Sequence, residues 1–412
     1  MSNYLRFLND FSGITRDSKL LIGGGFFGNL ALGLIFTDLS YFLHTIRGIS
    51  IIYAGLFFTI EGIAGSALAV PFGIISDRRG RKRMIVYGNI LVGFSVILIA
   101  IATDIYLLCL ISILMGVADA AFTSSGGALL SEVSTNEKRT ATFSLSSLAS
   151  NGAWAGGGFL LYLVDPLSYI GVDPLHAHLI LYVALGIFTL AATIMLAEIH
   201  EPQKSNLRQR GQVLTGYTRN ILTKYVVSNV GIAFGAGLFV PLMSQWFNYR
   251  YGIPDTISGP ILGLSGLLLA FSALIAPALG RKLGIIRAMV ITMLASTIFM
   301  ILTPLPGNYQ ISAVLYILRS LLMNVSGPLS NSLIMGIIPS EQRGVASGIS
   351  SIFFRMPNSL GTYPGSLMMK EGNLSLPFDI AAVLYLASII IFFWWFRKIK
   401  PPEEAGTHSK GN

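Results

Sequence analysis

The chain has 412 residues, of which 53% are hydrophobic and only 11% are charged, and its mean hydropathy is +0.68. A soluble domain carries roughly 25% charged residues, so this composition excludes a soluble globular protein and indicates a surface that faces lipid. The net charge of +9 does not indicate nucleic-acid binding, because Lys and Arg lie in short segments between apolar runs rather than on a basic, aromatic-rich face.

The segment before the first apolar run is charged, with Arg6, Asp10 and Arg16. The run that follows is long enough to span a membrane and lacks a small-residue cleavage site, so we expect no cleavable signal peptide. Apolar and aromatic residues recur between positions 4 and 14. We expect these residues to form a short interfacial helix.

Long apolar segments then follow one another to the end of the chain. A spanning helix needs roughly 20 mostly apolar residues, and it must be helical because lipid offers backbone amides no partner. Twelve segments qualify, at approximately 20–42, 51–75, 84–103, 106–130, 141–163, 178–197, 225–246, 257–279, 288–305, 311–335, 345–369 and 378–396. We therefore predict an all-α membrane protein with twelve transmembrane helices.

The positive charges indicate the orientation of these helices. With both termini in the cytoplasm, 23 of the 28 Lys and Arg fall on that side, and only Arg47, Arg250 and Lys370 fall on the other. Cytoplasmic loops carry such an excess of positive charge. We predict an integral protein of the plasma (cytoplasmic) membrane with both termini cytoplasmic.

The two halves of the chain match at a constant offset of 204 residues. The matching pairs are Gly80 with Gly284, Arg83 with Arg287, Glu137 with Glu341, Arg139 with Arg343, and Ser147 with Ser351. We predict two pseudo-symmetric six-helix bundles at 1–199 and 224–399, joined by a cytoplasmic linker at 200–223 and followed by a cytoplasmic tail at 400–412. Parallel repeats of this kind occur in transporters, with the solute site near mid-membrane.

The loop after the second predicted helix carries a run of glycines and charges. Residues 73–83 are Gly-Ile-Ile-Ser-Asp-Arg-Arg-Gly-Arg-Lys-Arg. This segment resembles the signature loop of the major facilitator superfamily, Gly-x-Leu-Ala-Asp-Arg-x-Gly-Arg-Lys, at the same place between helices two and three. With the twelve spans and the repeat, the resemblance covers essentially the whole chain.

The resemblance implies the major facilitator fold and a loop that tunes alternating access. The gating residues that it implies are Gly73, Asp77, Arg78, Gly80, Arg81, Glu132 and Arg139. We expect Asp77 to face the start of helix eleven, where free amides and the helix dipole favour a carboxylate. The alternative for Arg78 and the basic residues beside it is topology control alone.

Two departures from the family pattern bear on the subfamily. Residues 110–116 lack the helix-four arginine common in drug exporters, and residues 152–158 lack the proline of the antiporter pattern in helix five. Both weaken an assignment to drug-efflux antiporters without excluding it.

Five ionisable residues lie inside the predicted spans: Asp38, Glu61 and Asp119 in the first half, and Arg319 and Arg355 in the second. A charge at mid-membrane costs roughly 2.5–3.5 kcal/mol on insertion scales, so such residues usually face a wet cavity. Glu61 and Asp119 are candidate proton sites. For Asp38 the alternative is contact with interfacial water, and for Arg319 a fixed pairing with a carboxylate.

Helical spacing supports Arg355 as a residue of the solute cavity. On helix eleven a polar stripe consists of Ser347, Ser351, Arg355, Asn358 and Thr362, and Asn151 on helix five occupies the repeat-equivalent position of Arg355. Arg355 would either bind an anionic group of the solute or pair with Glu61 or Asp119. We predict a solute and proton cavity lined by Arg355, Asp119, Glu61, Arg319, Asp38, Asn151 and Asn358.

The main interpretation is a secondary active transporter that moves a small organic solute by alternating access coupled to protons. Two intramembrane arginines slightly favour an anionic or carboxylate-bearing solute. The three carboxylates also suit a multidrug/proton antiporter that exports lipophilic or cationic compounds, which is the alternative. A transporter-like receptor and a membrane-embedded enzyme are remote alternatives, because long soluble extensions and catalytic motifs are absent.

The expected partners are a small-molecule solute, a proton or other coupling ion, and the lipid bilayer, with no nucleic acid. We expect no enzymatic activity and no cofactor, and we expect the protein to function as a monomer. The five histidines lie at predicted helix ends or in loops. The pair His176 and His178 is by itself a weak metal signal, so no metal site is predicted.

Overall fold

The computed structural model describes residues 13–201, 214–339 and 342–398, and every regular element in these ranges is a helix. Nearly all of the interfacial helix predicted at 4–14, half of the linker and the whole tail lie outside the described residues. The all-α fold class predicted from the sequence is confirmed.

The first half contains six long helices. They are α1 (Arg16–Tyr41), α2 (Ile51–Arg79), α3 (Arg81–Ile101), α4 (Ile105–Val133), α5 (Arg139–Leu160) and α6 (Pro174–Ala197). A π-helical turn, Phe42–Ile46, extends α1. The turn Leu161–Leu163 and the short helix Val164–Tyr169 extend α5.

The second half has the same arrangement along the chain. Its helices are α7 (Gly216–Gly237), α8 (Asp255–Leu283), α9 (Ile285–Leu302), α10 (Tyr309–Ile337), α11 (Arg343–Lys370) and α12 (Leu376–Phe396). The turn Val240–Leu242 and the helix Met243–Tyr251 extend α7. All twelve predicted segments fall on these helices. Nine helical stretches among the described residues are long and apolar enough to cross a membrane, and α5, α8 and α11 are not among them.

Polar caps set several of the helix boundaries. Ser50 accepts a hydrogen bond from a first-turn amide of α2, and Asp104 accepts two from the first turn of α4. Asp173 caps α6, whose first residue is Pro174, so this helix begins one turn earlier than predicted. Gly80 and Gly284 have φ angles of +105° and +80°, which separate α2 from α3 and α8 from α9.

Equivalent helices pack together in the two halves. In the first, α1 contacts α5 and α6, and α3 contacts α4 and α6; in the second, α7 contacts α11 and α12, and α9 contacts α10 and α12. The closest approaches also repeat. A side-chain carbon added at Gly33 would overlap the backbone of Trp154, and one added at Gly237 would overlap the backbone of Asn358. Both partners are displaced by the same 204 residues as the sequence repeat, which supports a duplicated unit.

The described chain divides into two compact units. The first contains the described residues up to 201 together with Pro254–Gly263, and the second contains residues 214–253 and the described residues from 264 onward. The first turns of α8 therefore belong to the first unit. The domain boundaries at 199 and 224 remain predictions.

Candidate functional site

The predicted gating motif forms an ion-paired cluster in the first unit. Arg81 at the start of α3 binds Glu132 at the end of α4, with 2.5 Å between Nη1 and Oε1, and Asp77 in α2, with 3.1 Å between Nη2 and Oδ1. Asp77 keeps 67% of its side chain exposed. Three of the motif's seven predicted residues thus meet directly. The contact expected between Asp77 and helix eleven remains a prediction.

The other motif residues lie around this cluster. Arg78 and Arg139 are exposed and Gly73 is partly buried. The Arg139 guanidinium donates to the carbonyl of Ser131 at 3.4 Å, and Gly80 supplies the positive φ already described.

Glu201 also binds residues of the gating motif, a contact that the sequence did not indicate. Its carboxylate accepts hydrogen bonds from the backbone amides of Arg81 at 2.8 Å and Lys82 at 3.2 Å. These are the first amides of α3, where the helix dipole stabilises an anion. Glu201 follows α6, so the contact joins positions that are 120 residues apart.

Glu61 and Asp119 lie on two helices that approach closely. A side-chain carbon added at Gly65 of α2 would lie 3.1 Å from Oδ2 of Asp119, and one added at Gly116 of α4 would lie 2.5 Å from the backbone oxygen of Glu61. Both carboxylates are partly buried. The two candidate proton sites are therefore on one helix–helix interface of the first unit.

Arg355 lines a cavity in the second unit. The cavity has a volume of about 270 Å³ and is lined by Tyr225, Asn331, Ile334, Met335, Ser347, Ser350, Ser351, Phe354 and Arg355. Its walls come from α7, α10 and α11 and combine one guanidinium with hydroxyls, an amide, two aromatic rings and apolar side chains. Such a surface can hold a small organic molecule with one anionic or acceptor end and an apolar body.

Arg319, Asn358 and Asn151 have other environments. Arg319 is 5% exposed, donates to the Tyr385 hydroxyl at 2.6 Å and stacks with its guanidinium carbon 4.9 Å from the centre of the Phe239 ring. Among the described residues, the contacts of this guanidinium are with aromatic side chains rather than with a carboxylate. Asn358 donates to the carbonyl of Ala233 at 3.1 Å and so joins α11 to α7, while Asn151 is partly buried on α5.

Asp38 is fully buried rather than in contact with interfacial water. The Tyr182 hydroxyl donates to its Oδ2 at 3.0 Å, and Nε2 of His178 lies 3.9 Å from its Oδ1. Nε2 of His178 also lies 2.7 Å from Oδ2 of Asp255, the first residue of α8. The structure therefore brings a predicted site residue, Asp38, together with three that were not predicted.

The placement of His178 at a helix end was wrong, because Asp173 and Pro174 begin α6 one turn earlier. A signal was present in the sequence. His178 and Tyr182 are four residues apart and therefore share one helix face in an otherwise apolar segment. For Asp255, the sequence showed only an acidic residue near the start of a predicted helix, which does not indicate a buried site.

Comparisons with known proteins agree with this fold. The family model described as Major Facilitator Superfamily matches residues 21–362 and 225–411. A multidrug resistance protein MdtG of Escherichia fergusonii is 24% identical over 371 residues, covering 86% of this chain and 87% of that protein. Multidrug resistance protein 1 of Bacillus subtilis is 24% identical over 391 residues, covering 91% and 95%.

Solved transporter structures are similar in fold. A bacterial homologue of the human lysosomal transporter Spinster has a TM-score of 0.77 at 11% identity, covering 93% of this chain and 96% of that one. The nucleoside transporter NupG has a TM-score of 0.70 at 15% identity, covering 93% and 100%.

Proposed function

Because the chain belongs to the major facilitator superfamily, we propose that it is a secondary active transporter that moves a small amphipathic organic solute by alternating access, driven by a proton gradient. Family membership indicates a membrane transporter rather than an enzyme. The solute class, the coupling ion, the cytoplasmic termini and the monomeric state belong to the proposal.

The observation that carries the solute class is the cavity around Arg355. A guanidinium presents a planar set of donors that matches a carboxylate. Ser347, Ser350 and Ser351 add hydroxyls on the same helix, and Phe354 adds an aromatic ring. At 1.5 Å per residue, Arg355 lies about 18 Å along α11 from Arg343 at the cytoplasmic end, close to mid-membrane. We propose that the anionic or acceptor end of the solute binds Arg355.

The test is a thermal-stability panel on the purified full-length protein. A ligand that binds only the folded state at about 100 times its Kd stabilises the protein by about 2.7 kcal/mol. We expect an aromatic carboxylate such as benzoate to raise the unfolding midpoint and Arg355→Ala to remove that rise. Arg287→Ala, at an exposed position on α9, is the control and should retain it. Equal stabilisation of wild type and Arg355→Ala by benzoate would contradict the assignment of Arg355.

The second candidate is export of several lipophilic or cationic compounds. It is supported by relatives named multidrug resistance proteins that match most of this chain. The partly buried carboxylates Glu61 and Asp119 suit a cation. Ethidium efflux from cells that express the protein tests it. Efflux that survives Arg355→Ala and is lost in Asp119→Asn would favour this candidate over the carboxylate solute.

A further inference from the structure

The cluster of Asp38, His178 and Asp255 lies inside the first unit and is closed to solvent. Its side chains come from α1, α6 and the first turn of α8, and they are 0%, 0% and 3% exposed. One ligand-type atom of each residue lies within 4.8 Å of the others. Neither the gating motif nor the Arg355 cavity uses these three residues.

The hydrogen bonds of His178 determine where its protons lie. Nδ1 is 2.7 Å from the carbonyl oxygen of Pro174, which can only accept, so Nδ1 carries a proton and donates it. Nε2 is 2.7 Å from Oδ2 of Asp255, a normal distance for a charge-assisted hydrogen bond. A lone pair on Nε2 would repel the carboxylate at that distance. A second proton therefore lies between Nε2 and Oδ2, and it is on Nε2 because imidazole is a stronger base than a carboxylate.

Asp38 is the second carboxylate of the cluster, and any charge on it is negative. Tyr182 hydrogen-bonds Oδ2, but Oδ1, the oxygen that faces Nε2 of His178 at 3.9 Å, has no hydrogen-bond partner among the described residues. A buried carboxylate oxygen without a partner is unfavourable. The imidazolium offsets that charge only while His178 keeps both protons.

The surrounding ionisable groups do not replace the proton. Tyr41 interacts with both carboxylates but is itself uncharged or negative, as is Tyr182. The Arg47 guanidinium donates to the carbonyls of Ala100 and Ala102 and stacks on Phe42, 5.0 Å from the ring centre. In the described part of the first unit, the Nε2 proton is thus the positive charge in direct contact with Asp255.

A metal ion fits the spacing less well than a proton. Zinc at about 2.0–2.1 Å from tetrahedral ligands would place those ligand atoms about 3.4 Å apart. Here Nε2 of His178 is 2.7 Å from Oδ2 of Asp255 and 3.9 Å from Oδ1 of Asp38. The atoms 2.7 Å apart form a hydrogen bond. The separation of 3.9 Å is longer than the spacing between two ligand atoms of one zinc ion.

We propose that Asp38, His178 and Asp255 form a proton-binding site, and that the proton between His178 and Asp255 holds the first turn of α8 against α6. When the proton leaves, Nε2 presents a lone pair to the Asp255 carboxylate, the contact becomes repulsive and the first turn of α8 is released. The pairing joins residues that are 77 positions apart, so one proton controls the placement of a helix start. The inference rests on the proposed function only in using the proton as coupling ion.

The direct test is ¹⁵N-histidine NMR of the full-length protein in lipid nanodiscs over a pH series. His178→Gln assigns the His178 signal, and free ¹⁵N-histidine in the same buffer is the reference. We expect His178 to keep protons on both nitrogens at a pH where the free histidine is neutral. Asp255→Asn and Asp38→Asn should each make His178 lose the Nε2 proton at lower pH, because each removes a neighbouring negative charge. A His178 that becomes neutral at the same pH as the free histidine would overturn the proposal.

A second measurement follows the helix contact and does not need the His178 variant to fold. Spin labels at the exposed positions Ile180 on α6 and Ile257 on α8, in a Cys109→Ser background, report the distance between the two helices. We expect one short distance at low pH and a longer or broader distribution once His178 is neutral. A distribution that does not change with pH would overturn the role assigned to the proton.

Zinc and the transport assay separate the remaining outcomes. Zn²⁺ that stabilises wild type but not His178→Gln would make the cluster a metal site and overturn the proton proposal. If His178 were doubly protonated but transport did not depend on a pH gradient, proton coupling would be refuted and the proton-binding site would stand. If benzoate bound to the protein while His178 was neutral, the proton-binding site would be refuted and the proposed transport function would stand.

Discussion

At the scale of single residues, Arg355 carries the sharpest expectation. It is exposed to the cavity of the second unit and lies beside Ser351 on α11. A hydrogen bond to a charged group contributes about 1.5–3 kcal/mol, so Arg355→Ala should weaken solute binding by about 10- to 150-fold. Arg355→Lys should restore little of it, because a point charge lacks the planar donor pair.

The measurement for Arg355 is solute-dependent transport in proteoliposomes, with the unfolding midpoint as the folding control. Since the side chain is exposed, we expect both variants to unfold close to wild type. Transport by Arg355→Ala at the wild-type rate would remove the residue from the mechanism.

Glu61 and Asp119 carry a second prediction at this scale. Both are partly buried on the interface of α2 and α4, and ionisable side chains inside membrane helices often form proton pathways. We expect the double variant Glu61→Gln, Asp119→Asn to lose pH-gradient-driven transport but to keep solute exchange at equal pH. Both assays use the same proteoliposomes.

The control for this pair is Glu371→Gln, at an exposed carboxylate that follows α11. It should leave the pH-gradient-driven rate unchanged. Full gradient-driven transport by the double variant would show that neither carboxylate carries the coupling proton.

At the scale of helices, the packing of α7 against α11 depends on Gly237. An added methyl group there would overlap the carbonyl of Asn358, which is backbone and cannot rotate away. Overpacking of this kind costs about 1–3 kcal/mol, so Gly237→Ala should lower the unfolding midpoint and Gly33→Ala should do the same at the repeat-equivalent contact of α1 and α5.

Gly327 provides the matched control, because it lies inside α10 with open space around it. Gly327→Ala should leave the midpoint unchanged or raise it, since alanine is the better helix former. Equal midpoints for Gly237→Ala and Gly327→Ala would contradict the close helix contact.

At the scale of the whole molecule, the gating motif is expected to act on motion rather than on binding. Asp77 pairs with Arg81 while 67% of its side chain is exposed, and such surface pairs contribute about 0–1 kcal/mol to stability. Asp77→Asn should therefore disable transport while solute affinity and the unfolding midpoint stay near wild type. Binding and transport are measured on the same preparation.

Glu137→Gln removes another exposed carboxylate of the predicted cytoplasmic side and should preserve transport. If Asp77→Asn lost affinity in parallel with transport, the motif would belong to the solute site instead.

Much of the fold could be predicted from the sequence by itself. The segments, their helical state and the repeat followed from local rules, because lipid requires internal backbone hydrogen bonds and because charge bias is visible along the chain. The offset of 204 residues predicted from Gly80 and Gly284 recurs in the contacts of Gly33 and Gly237. The motif at 73–83 was likewise sufficient to indicate the family.

Only the tertiary structure decided which polar groups meet. Glu201 reaches the start of α3 across 120 residues, Tyr182 reaches Asp38 across 144, and His178 reaches Asp255 across 77. Helical periodicity specifies the face of one helix but not the helix that covers it. Arg319 was a cavity candidate by sequence, and its aromatic partners Phe239 and Tyr385 come from other segments of the chain. The physical reason is that burial and hydrogen bonding depend on packing between distant segments, whereas membrane insertion depends on each segment alone.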